Sequence, residues 1–195
     1  SSPAYNKPTQ EGIYQHFMAM AEVTPRPIIM YNVPGRTSSK MHAETTLRLA
    51  ESSDVFLGIK EASGDLSQAL QIAKHRSSAD DFLLISGDDE MTLGMMAGGA
   101  DGVISVIANA YPHIFSEMVN FALVGDFEMA REKHFELLDI HPHLYSEGNP
   151  AGIKGLMELL GFCSREVRLP LTQSSEHLQN QLKSLKMKLD KAVLA

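Results

Sequence analysis

The sequence contains one cysteine and no tryptophan. Cys163 stands alone among 195 residues, so an internal disulfide framework is excluded and a reducing compartment is expected. Long apolar runs are absent too, since none approaches the roughly 20 residues that cross a bilayer. The segment from Ser1 to Pro8 lacks the charged and then apolar regions of a signal peptide. We therefore expect a cytoplasmic protein with no membrane partner.

Basic residues are outnumbered by acidic ones. The chain has 17 lysines and arginines against 24 aspartates and glutamates, which gives a formal net charge of −7. A nucleic-acid-binding domain usually carries a basic surface, so this balance argues against nucleic acid as a partner. Hydrophobic residues make up 44% and charged residues 21%, the ordinary composition of a globular protein. The length allows one large domain or two small ones.

Four short apolar runs, rich in β-branched residues, predict the strands of a parallel sheet. The runs are continuous rather than alternating, which is typical of strands whose two faces are both covered. Segments with helical spacing of apolar residues lie between and before them, and Asp65 is a predicted N-cap. The predicted strands span residues 27–33, 55–60, 82–86 and 102–107, and the predicted helices span residues 10–22, 40–52 and 65–76. This alternation indicates an α/β fold.

The pattern changes after Ile107. No internal repeat or flexible linker follows, and no further strand is predicted. The remaining segments with helical periodicity span residues 112–124, 126–143, 150–161 and 174–190. The sequence therefore predicts an α/β domain over residues 1–110 and a helical domain over residues 111–195.

Polar side chains end the predicted strands, where they are unsuited to a core. Tyr31-Asn32 ends the first, Lys60-Glu61 the second and Gly87-Asp88-Asp89 the third. Ligands bind at the carboxyl ends of strands in both α/β barrels and open α/β sheets. Lys60 is the most informative of these residues, because burial among strand ends favours the neutral amine, which can form a Schiff base with a carbonyl substrate. The alternative is that Lys60 forms an ion pair with Glu61 or a neighbouring acid.

Tyr31 and Arg36 are weaker candidates at the same edge. The phenol of Tyr31 could relay protons, or Tyr31 could be a core tyrosine whose hydroxyl is satisfied. Arg36 lies in a turn, Pro34-Gly35-Arg36-Thr37, where its planar guanidinium could clamp a carboxylate. The alternative for Arg36 is a solvated side chain without a ligand.

Neither a metal site nor a phosphate site is predicted. His134, His141 and His143 have no carboxylate or cysteine at ligand spacing, so we interpret them as solvated histidines at helix ends. Asp88 and Asp89 follow the third predicted strand and would repel a phosphate there.

Several motifs resemble, in the same order, those of the dihydrodipicolinate synthase family, which belongs to the pyruvate-dependent class I aldolases. The resemblance extends over essentially the whole chain. The motif Tyr-Asn-Val-Pro-Gly-Arg-Thr followed at this separation by Gly-Ile-Lys-Glu-Ala makes it highly specific. The motifs span residues 5–12, 31–37, 58–63, 86–89 and 102–106 and the pair Asn149-Pro150.

The resemblance implies a TIM barrel followed by a helical C-terminal domain, usually in a homotetramer built from tight dimers. In such a barrel, residues 1–110 would run from the end of strand 4 through strand 8. The first half, including a Gly-Thr-Thr-Gly-Glu strand whose threonines bind the pyruvate carboxylate, would be missing from these residues, whereas a TIM barrel needs eight strands. We therefore expect the C-terminal half of a TIM barrel and a helical domain, and no synthase activity from this part alone.

The same resemblance implies a reaction. Lys60 would form an imine with pyruvate, so that the enzyme would need no other cofactor and no metal. The resulting enamine would attack the aldehyde of aspartate semialdehyde, in the biosynthesis of diaminopimelate and lysine. Tyr31 would relay protons around the imine. Tyr5 would be lent across the tight-dimer interface to the proton relay of the partner.

Three further residues would contact substrates. Arg36 would hold the carboxylate of the aldehyde substrate, and Gly87 and Ile104 would line the pocket through their backbones. The arginine in its turn favours this activity over the sialic-acid lyases and keto-deoxy-sugar aldolases of the same group, which are the enzymatic alternative. A non-catalytic fragment that serves as an assembly module is the alternative from another class.

Overall fold

The computed structural model describes residues 1–78 and 81–193. The chain forms two compact units, Ser1–Ile104 and Ser105–Ala195. The predicted domain limits, residues 1–110 and 111–195, stay a prediction. Within the described ranges, no helix is both long enough and apolar enough to cross a membrane.

The first unit contains a four-stranded parallel sheet, as the sequence predicts. Its strands lie side by side in chain order. They are β1 (Ile28–Asn32), β2 (Phe56–Glu61), β3 (Leu83–Ser86) and β4 (Gly102–Val103). The first three end within one residue of their predicted limits, whereas the fourth is wrong in length, because it stops at Val103 rather than Ile107.

The early end of β4 has a local cause. The hydroxyl of Ser105 accepts a hydrogen bond from the backbone N–H of Ala108 at 3.0 Å, and a 3-10 turn follows at Ile107–Asn109. A serine that bonds nearby backbone groups offers the chain an alternative to strand pairing. Ile104 still donates its N–H to the carbonyl of Ser86 at 3.0 Å, so the chain leaves the sheet just beyond this residue.

The helices of the first unit lie between the strands as predicted, with two additions. The predicted N-cap is confirmed, because the Asp65 carboxylate accepts from the N–H of Gln68 at 3.0 Å. The helices are α1 (Gln10–Val23), α2 (Pro34–Thr37), α3 (Ala43–Ser52), α4 (Leu66–His75) and α5 (Thr92–Ala97). The two that the sequence did not predict, α2 and α5, are too short to show helical periodicity.

Strand β2 contains a bulge at Leu57. Ile28 pairs with Phe56 and the next residue, Ile29, pairs with Gly58, so Leu57 is the extra residue on β2. Phe56 packs edge-to-face on Phe17 of α1, with 6.3 Å between the ring centroids. Because successive strand residues point to opposite faces, the extra residue allows Phe56 to face the helices while Lys60 faces the other way.

The two faces of the sheet differ in burial. Helix α3 packs on β2 and α4 packs on β3, and the face beneath them carries the buried side chains of Met30, Ile59 and Leu84. On the opposite face Ile29 is 40% exposed. The residues paired across that face near its carboxyl edge are Tyr31, Lys60 and Ile85, all of intermediate burial. The expectation that both faces are covered is therefore wrong for this face.

The second unit is helical, as predicted. Helices α6 and α7 pack on each other, as do α8 and α9. The helices are α6 (Pro112–Leu123), α7 (Phe127–Leu138), α8 (His141–Tyr145), α9 (Ala151–Leu159) and α10 (Glu176–Val193). The segment predicted as one helix over residues 126–143 is divided, because α7 ends at Leu138 and α8 begins three residues later.

Two histidines of this unit are buried, so the interpretation that they are solvated is wrong. His134 is 9% exposed and His141 is fully buried, and their rings stack with centroids 6.3 Å apart. His134 shares the buried side of α7 with Ala130 and Leu137, at the spacing of one helical face. Burial lowers the pKa of His134. Among the described residues, no group of three histidine, cysteine or acidic side chains is placed to hold a metal ion.

A side-chain clamp closes the amino-terminal side of the sheet. The guanidinium of Arg76 forms an ion pair with Asp101 and donates to the carbonyls of Phe82 at 2.9 Å and Gly99 at 2.6 Å. The Asp101 carboxylate also accepts from the N–H of Leu84 at 2.7 Å. Since the Arg76 side chain is only 7% exposed, these partners replace the hydrogen bonds that its guanidinium would make to water.

We expect Asp101→Asn to lower the free energy of unfolding by about 2 kcal/mol, because charged hydrogen bonds to a mostly buried guanidinium are lost. Urea unfolding followed by circular dichroism measures this loss. Asp65→Asn is the matched control, since it removes the charge from an ion pair with Lys40 whose side chains are 37% and 39% exposed. Such a pair contributes less than about 1 kcal/mol. Equal losses in both variants would contradict the prediction.

Candidate active site

The carboxyl edge of the sheet brings the strand-end residues together. Tyr31 of β1 pairs with Lys60 of β2, and Lys60 pairs in turn with Ile85 of β3. The next residues along, Asn32 and Glu61, pair in the same way. Because the strands are parallel, their carboxyl ends meet at one edge, and Tyr31 and Lys60 lie side by side on the half-covered face.

Lys60 contacts the ring of Tyr31. Its Nζ lies 4.6 Å from the ring centroid, within the range of a cation–π interaction. Burial lowers the pKa of Lys60, and the negative charge of Asp89 acts in the opposite direction. A lowered pKa increases the share of neutral amine at any given pH. At a given pH, a larger share of this amine than of an ordinary surface lysine is therefore available as a nucleophile.

Glu61 is not the ion-pair partner of Lys60. The two residues are neighbours on β2, so their side chains leave on opposite faces of the sheet. The Glu61 carboxylate is 2% exposed and accepts hydrogen bonds on the helix-covered face instead. The interpretation of Lys60 as a partner of Glu61 is therefore wrong, whereas its pairing with another neighbouring acid stays a prediction.

Tyr31 and Arg36 are electrostatically linked. Burial raises the pKa of the Tyr31 phenol, and the positive charge of Arg36 opposes that rise. Arg36 lies in α2, directly after β1, and its side chain is exposed. A protonated phenol can donate or accept a hydrogen bond, and an exposed guanidinium beside it can pair with a carboxylate.

Gly87 leaves room for the Lys60 side chain. A Cβ atom at position 87 would lie 2.8 Å from Cε of Lys60 and 2.7 Å from Cβ of Ala62, which is closer than carbon atoms approach. The backbone N–H of Gly87 donates to the carbonyl of Glu61 at 2.8 Å. A residue larger than glycine would therefore displace the lysine or the strand end beside it.

Ile104 and Tyr5 lie at the margins of this arrangement. Ile104 follows β4, and its side chain is 48% exposed. The N–H of Ile104, like that of Gly87, donates within the sheet, so their carbonyl oxygens are the backbone groups that could contact a ligand. Tyr5 is 90% exposed, and its N–H donates to the carbonyl of Thr37 at 3.3 Å. This bond ties the Tyr5 loop to the helix that carries Arg36.

Behind the Tyr31–Lys60 pair, a buried cluster joins Asn32, Glu61 and Gln68. Glu61 Oε2 accepts from Asn32 Nδ2 at 2.8 Å and from Gln68 Nε2 at 2.9 Å. Glu61 Oε1 accepts from the N–H of Ser63 at 2.7 Å. The carbonyl of Met41 accepts from both amides, each at 3.0 Å. We call Asn32, Glu61 and Gln68 the strand-end cluster.

The sequence shows only part of this cluster in advance. Asn32 and Glu61 stand out as polar residues at strand ends, but Gln68 lies on an ordinary amphipathic helix and gives no signal. Asp89 is 2% exposed and acts on Lys60 through its charge, whereas the sequence identifies it only as a residue that would repel phosphate. Burial of these two residues depends on packing between elements, which the local pattern does not report.

Comparison with known proteins identifies the family to which these residues belong. A model of the dihydrodipicolinate synthetase family matches residues 2–188. The chain belongs to this family. The 4-hydroxy-tetrahydrodipicolinate synthase of Cytophaga hutchinsonii is 47% identical over 187 residues, which are 96% of this chain and 62% of that protein.

Solved structures of the dihydrodipicolinate synthetase family confirm the fold class. The dihydrodipicolinate synthase of Thermotoga maritima is 38% identical with a TM-score of 0.93, over 96% of this chain and 64% of that one. The enzyme of Acinetobacter baumannii, solved in complex with pyruvate, is 37% identical with a TM-score of 0.91, over 96% and 63%. The chain is thus the C-terminal part of a TIM barrel followed by a helical domain.

The chain spans less than two thirds of the length of these family members. In a complete TIM barrel, side chains from all eight strands fill the interior. The half-covered face that carries Tyr31 and Lys60 has the position of that interior surface. Its partial exposure follows from the four strands that the structure describes.

Proposed function

We propose that this chain carries the Schiff-base chemistry of a dihydrodipicolinate synthase, a lyase that acts on pyruvate. The observation that carries the proposal is Lys60, whose pKa is lowered by burial and whose Nζ lies 4.6 Å from the Tyr31 ring. The neutral amine attacks the carbonyl carbon of pyruvate, and loss of one water gives the imine. No cofactor other than this lysine takes part.

The second substrate in this proposal is aspartate semialdehyde. Loss of a methyl proton converts the imine into an enamine, whose carbon attacks the aldehyde, and the lysine is released when the product's own amine displaces it. Tyr31 supplies and removes protons in these steps. Its phenol is protonated at neutral pH, since the ordinary pKa of about 10 lies well above 7 and burial raises the pKa further. Arg36 pairs with the carboxylate of the aldehyde substrate. The product enters lysine biosynthesis.

The proposal includes a second copy of the chain. The Tyr5 side chain is 90% exposed and its backbone has a positive φ of 75°, a conformation that a non-glycine residue adopts at a cost of about 1 kcal/mol. An exposed ring held in such a loop is suited to insertion into a partner, where it would complete that partner's proton relay. We propose a dimer of dimers, located in the cytoplasm.

Trapping with borohydride tests the proposed reaction. The protein for this test, which we call the completed chain, carries ahead of Ser1 the N-terminal part of the Cytophaga hutchinsonii enzyme that these residues do not match. We expect pyruvate and borohydride to leave a reduced adduct on Lys60, located by peptide mass spectrometry. Since the pKa of Lys60 is lowered, the trapping rate should rise with pH and level off below the ordinary lysine value of about 10.4.

Two variants of the completed chain serve as controls. Lys60→Arg keeps the charge and removes the nucleophile, so the adduct should vanish. Lys74→Arg, at the end of α4, should trap pyruvate like the parent. An adduct that persists in Lys60→Arg would overturn the proposal. Rapid pyruvate consumption with a sugar aldehyde, and none with aspartate semialdehyde, would assign the chain to another pyruvate aldolase.

A further inference from the structure

The strand-end cluster lies directly behind the reactive pair. Asn32 follows Tyr31 along β1, and Glu61 follows Lys60 along β2, so each of these two cluster residues is one peptide bond from a site residue and points to the opposite face. Asn32 is fully buried, Glu61 is 2% exposed and Gln68 is 8% exposed. The cluster and the reactive pair therefore share the same two strand ends, without sharing a surface.

We propose that the strand-end cluster positions Lys60 and Tyr31 for reaction, by locking the ends of β1 and β2 against each other and against α4. This inference rests on the proposed function. Asn32, Glu61 and Gln68 are positioning residues, because they act through the backbone and do not face the substrate.

The hydrogen bonds within the strand-end cluster favour one arrangement of the two strand ends. A buried carboxylate is costly unless donors surround it, and Glu61 has the amide of Asn32, the amide of Gln68 and the N–H of Ser63. Each amide nitrogen also donates to the carbonyl of Met41 at 3.0 Å. Every member has its partner in this arrangement, and a shift of either strand end would break several bonds at once.

Backbone hydrogen bonds connect these strand ends to the end of the third strand as well. The backbone of Ala62 donates to the carbonyl of Asn32 at 2.9 Å, and that of Gly87 donates to the carbonyl of Glu61 at 2.8 Å. A Cβ atom on Gly87 would collide with the Lys60 side chain, so this strand end forms one wall beside the lysine. Loosening the ends of β1 and β2 would therefore open the space around Lys60 from two sides and admit water.

The central variant is Glu61→Gln, in the 195-residue chain. The variant keeps the side-chain size but has only one acceptor oxygen, so its NH2 group must face either the two amide donors or the N–H of Ser63. The matched control is Asp101→Asn, which weakens the clamp on the opposite side of the sheet, far along the strands from Lys60. Both variants should lower the urea midpoint, so stability alone does not distinguish positioning from structural support.

Chemical labelling of Lys60 distinguishes the two roles. An amine-reactive reagent labels only the neutral amine, so the labelling rate reports the neutral fraction of Lys60. The rate is measured from pH 7 to 11 by mass spectrometry, with Lys74 as internal reference. We expect Glu61→Gln to move the Lys60 profile to higher pH and lower the rate near pH 8 by about threefold or more, since tenfold corresponds to one pKa unit. Asp101→Asn should leave the profile unchanged.

Gln68→Met is the milder second variant, should Glu61→Gln fail to fold. It removes one donor, keeps the volume of the side chain and should shift the labelling profile in the same direction. A labelling profile that is unchanged in the folded cluster variants, or that shifts equally in Asp101→Asn, would overturn the positioning role. The pyruvate trapping of the completed chain is separate, because its failure would count against the proposed function and not against the cluster.

Discussion

The 195-residue chain alone should trap pyruvate at least about 100-fold more slowly than the completed chain, which is the effect of losing one oriented donor to a developing charge. The face that carries Tyr31 and Lys60 is half-covered, and Ile29 on it is 40% exposed. The threonines that the family resemblance assigns to the pyruvate carboxylate are not among these residues. Without them, pyruvate loses the contacts to its carboxylate that the resemblance assigns to those threonines.

Parallel trapping reactions measure this difference. Both proteins are incubated with pyruvate and borohydride at the same pH, and the adduct on Lys60 is quantified over time. Lys60→Arg in the completed chain gives the background. Equal rates for the two proteins would show that four strands support an active lysine, and that closure of the barrel contributes little to the chemistry.

Gly87→Ala should lower pyruvate trapping by the completed chain by about 100-fold, because a displacement of about 1 Å can cost that much in rate. A methyl group at this position would lie 2.8 Å from Lys60 Cε and 2.7 Å from Ala62 Cβ. The lysine side chain can move away, whereas the contact with Ala62 is relieved only by a shift of the backbone, so both the lysine and the strand end beside it are displaced. Overpacking should also reduce the free energy of unfolding by about 1–3 kcal/mol.

Gly94→Ala is the matched control for this variant. Gly94 lies in α5, where a Cβ atom would meet Leu66 Cδ2 at 3.7 Å, an ordinary contact. Alanine is preferred over glycine inside a helix by about 0.5–1 kcal/mol, so stability should rise or stay level and trapping should not change. A Gly87→Ala protein that traps pyruvate at the parental rate would contradict the steric argument.

The sheet could be predicted from the sequence because continuous apolar runs are themselves a local signal. Three strands and the N-cap at Asp65 follow from a few adjacent residues each. The end of β4 could not be predicted in this way, since one hydroxyl at Ser105 redirects an apolar segment that continues to Ile107. The apolar pattern there continues beyond the residue at which the strand ends, because the pattern does not show the hydrogen bond of Ser105.

The candidate site was partly visible for a similar reason. Lys60 and Tyr31 are polar or amphipathic residues in apolar strands, so they stand out. Gln68 and His134 do not, because both lie on helices whose sequence permits a solvated side chain as readily as a buried one. Their burial depends on neighbours that are distant in sequence, as in the contact of Gln68 with Glu61.

The bulge at Leu57 decides which side chain faces the candidate site. With regular alternation over the same residues, Phe56 and Lys60 would share a face. The packing of Phe56 on Phe17 would then turn the amine into the helix layer and bring the Glu61 carboxylate to the face that carries Tyr31. One unpaired residue with no chemistry of its own therefore exchanges an acid for a nucleophile. A strand of the same sequence without the bulge would present a different side chain to the site, although no residue would be altered.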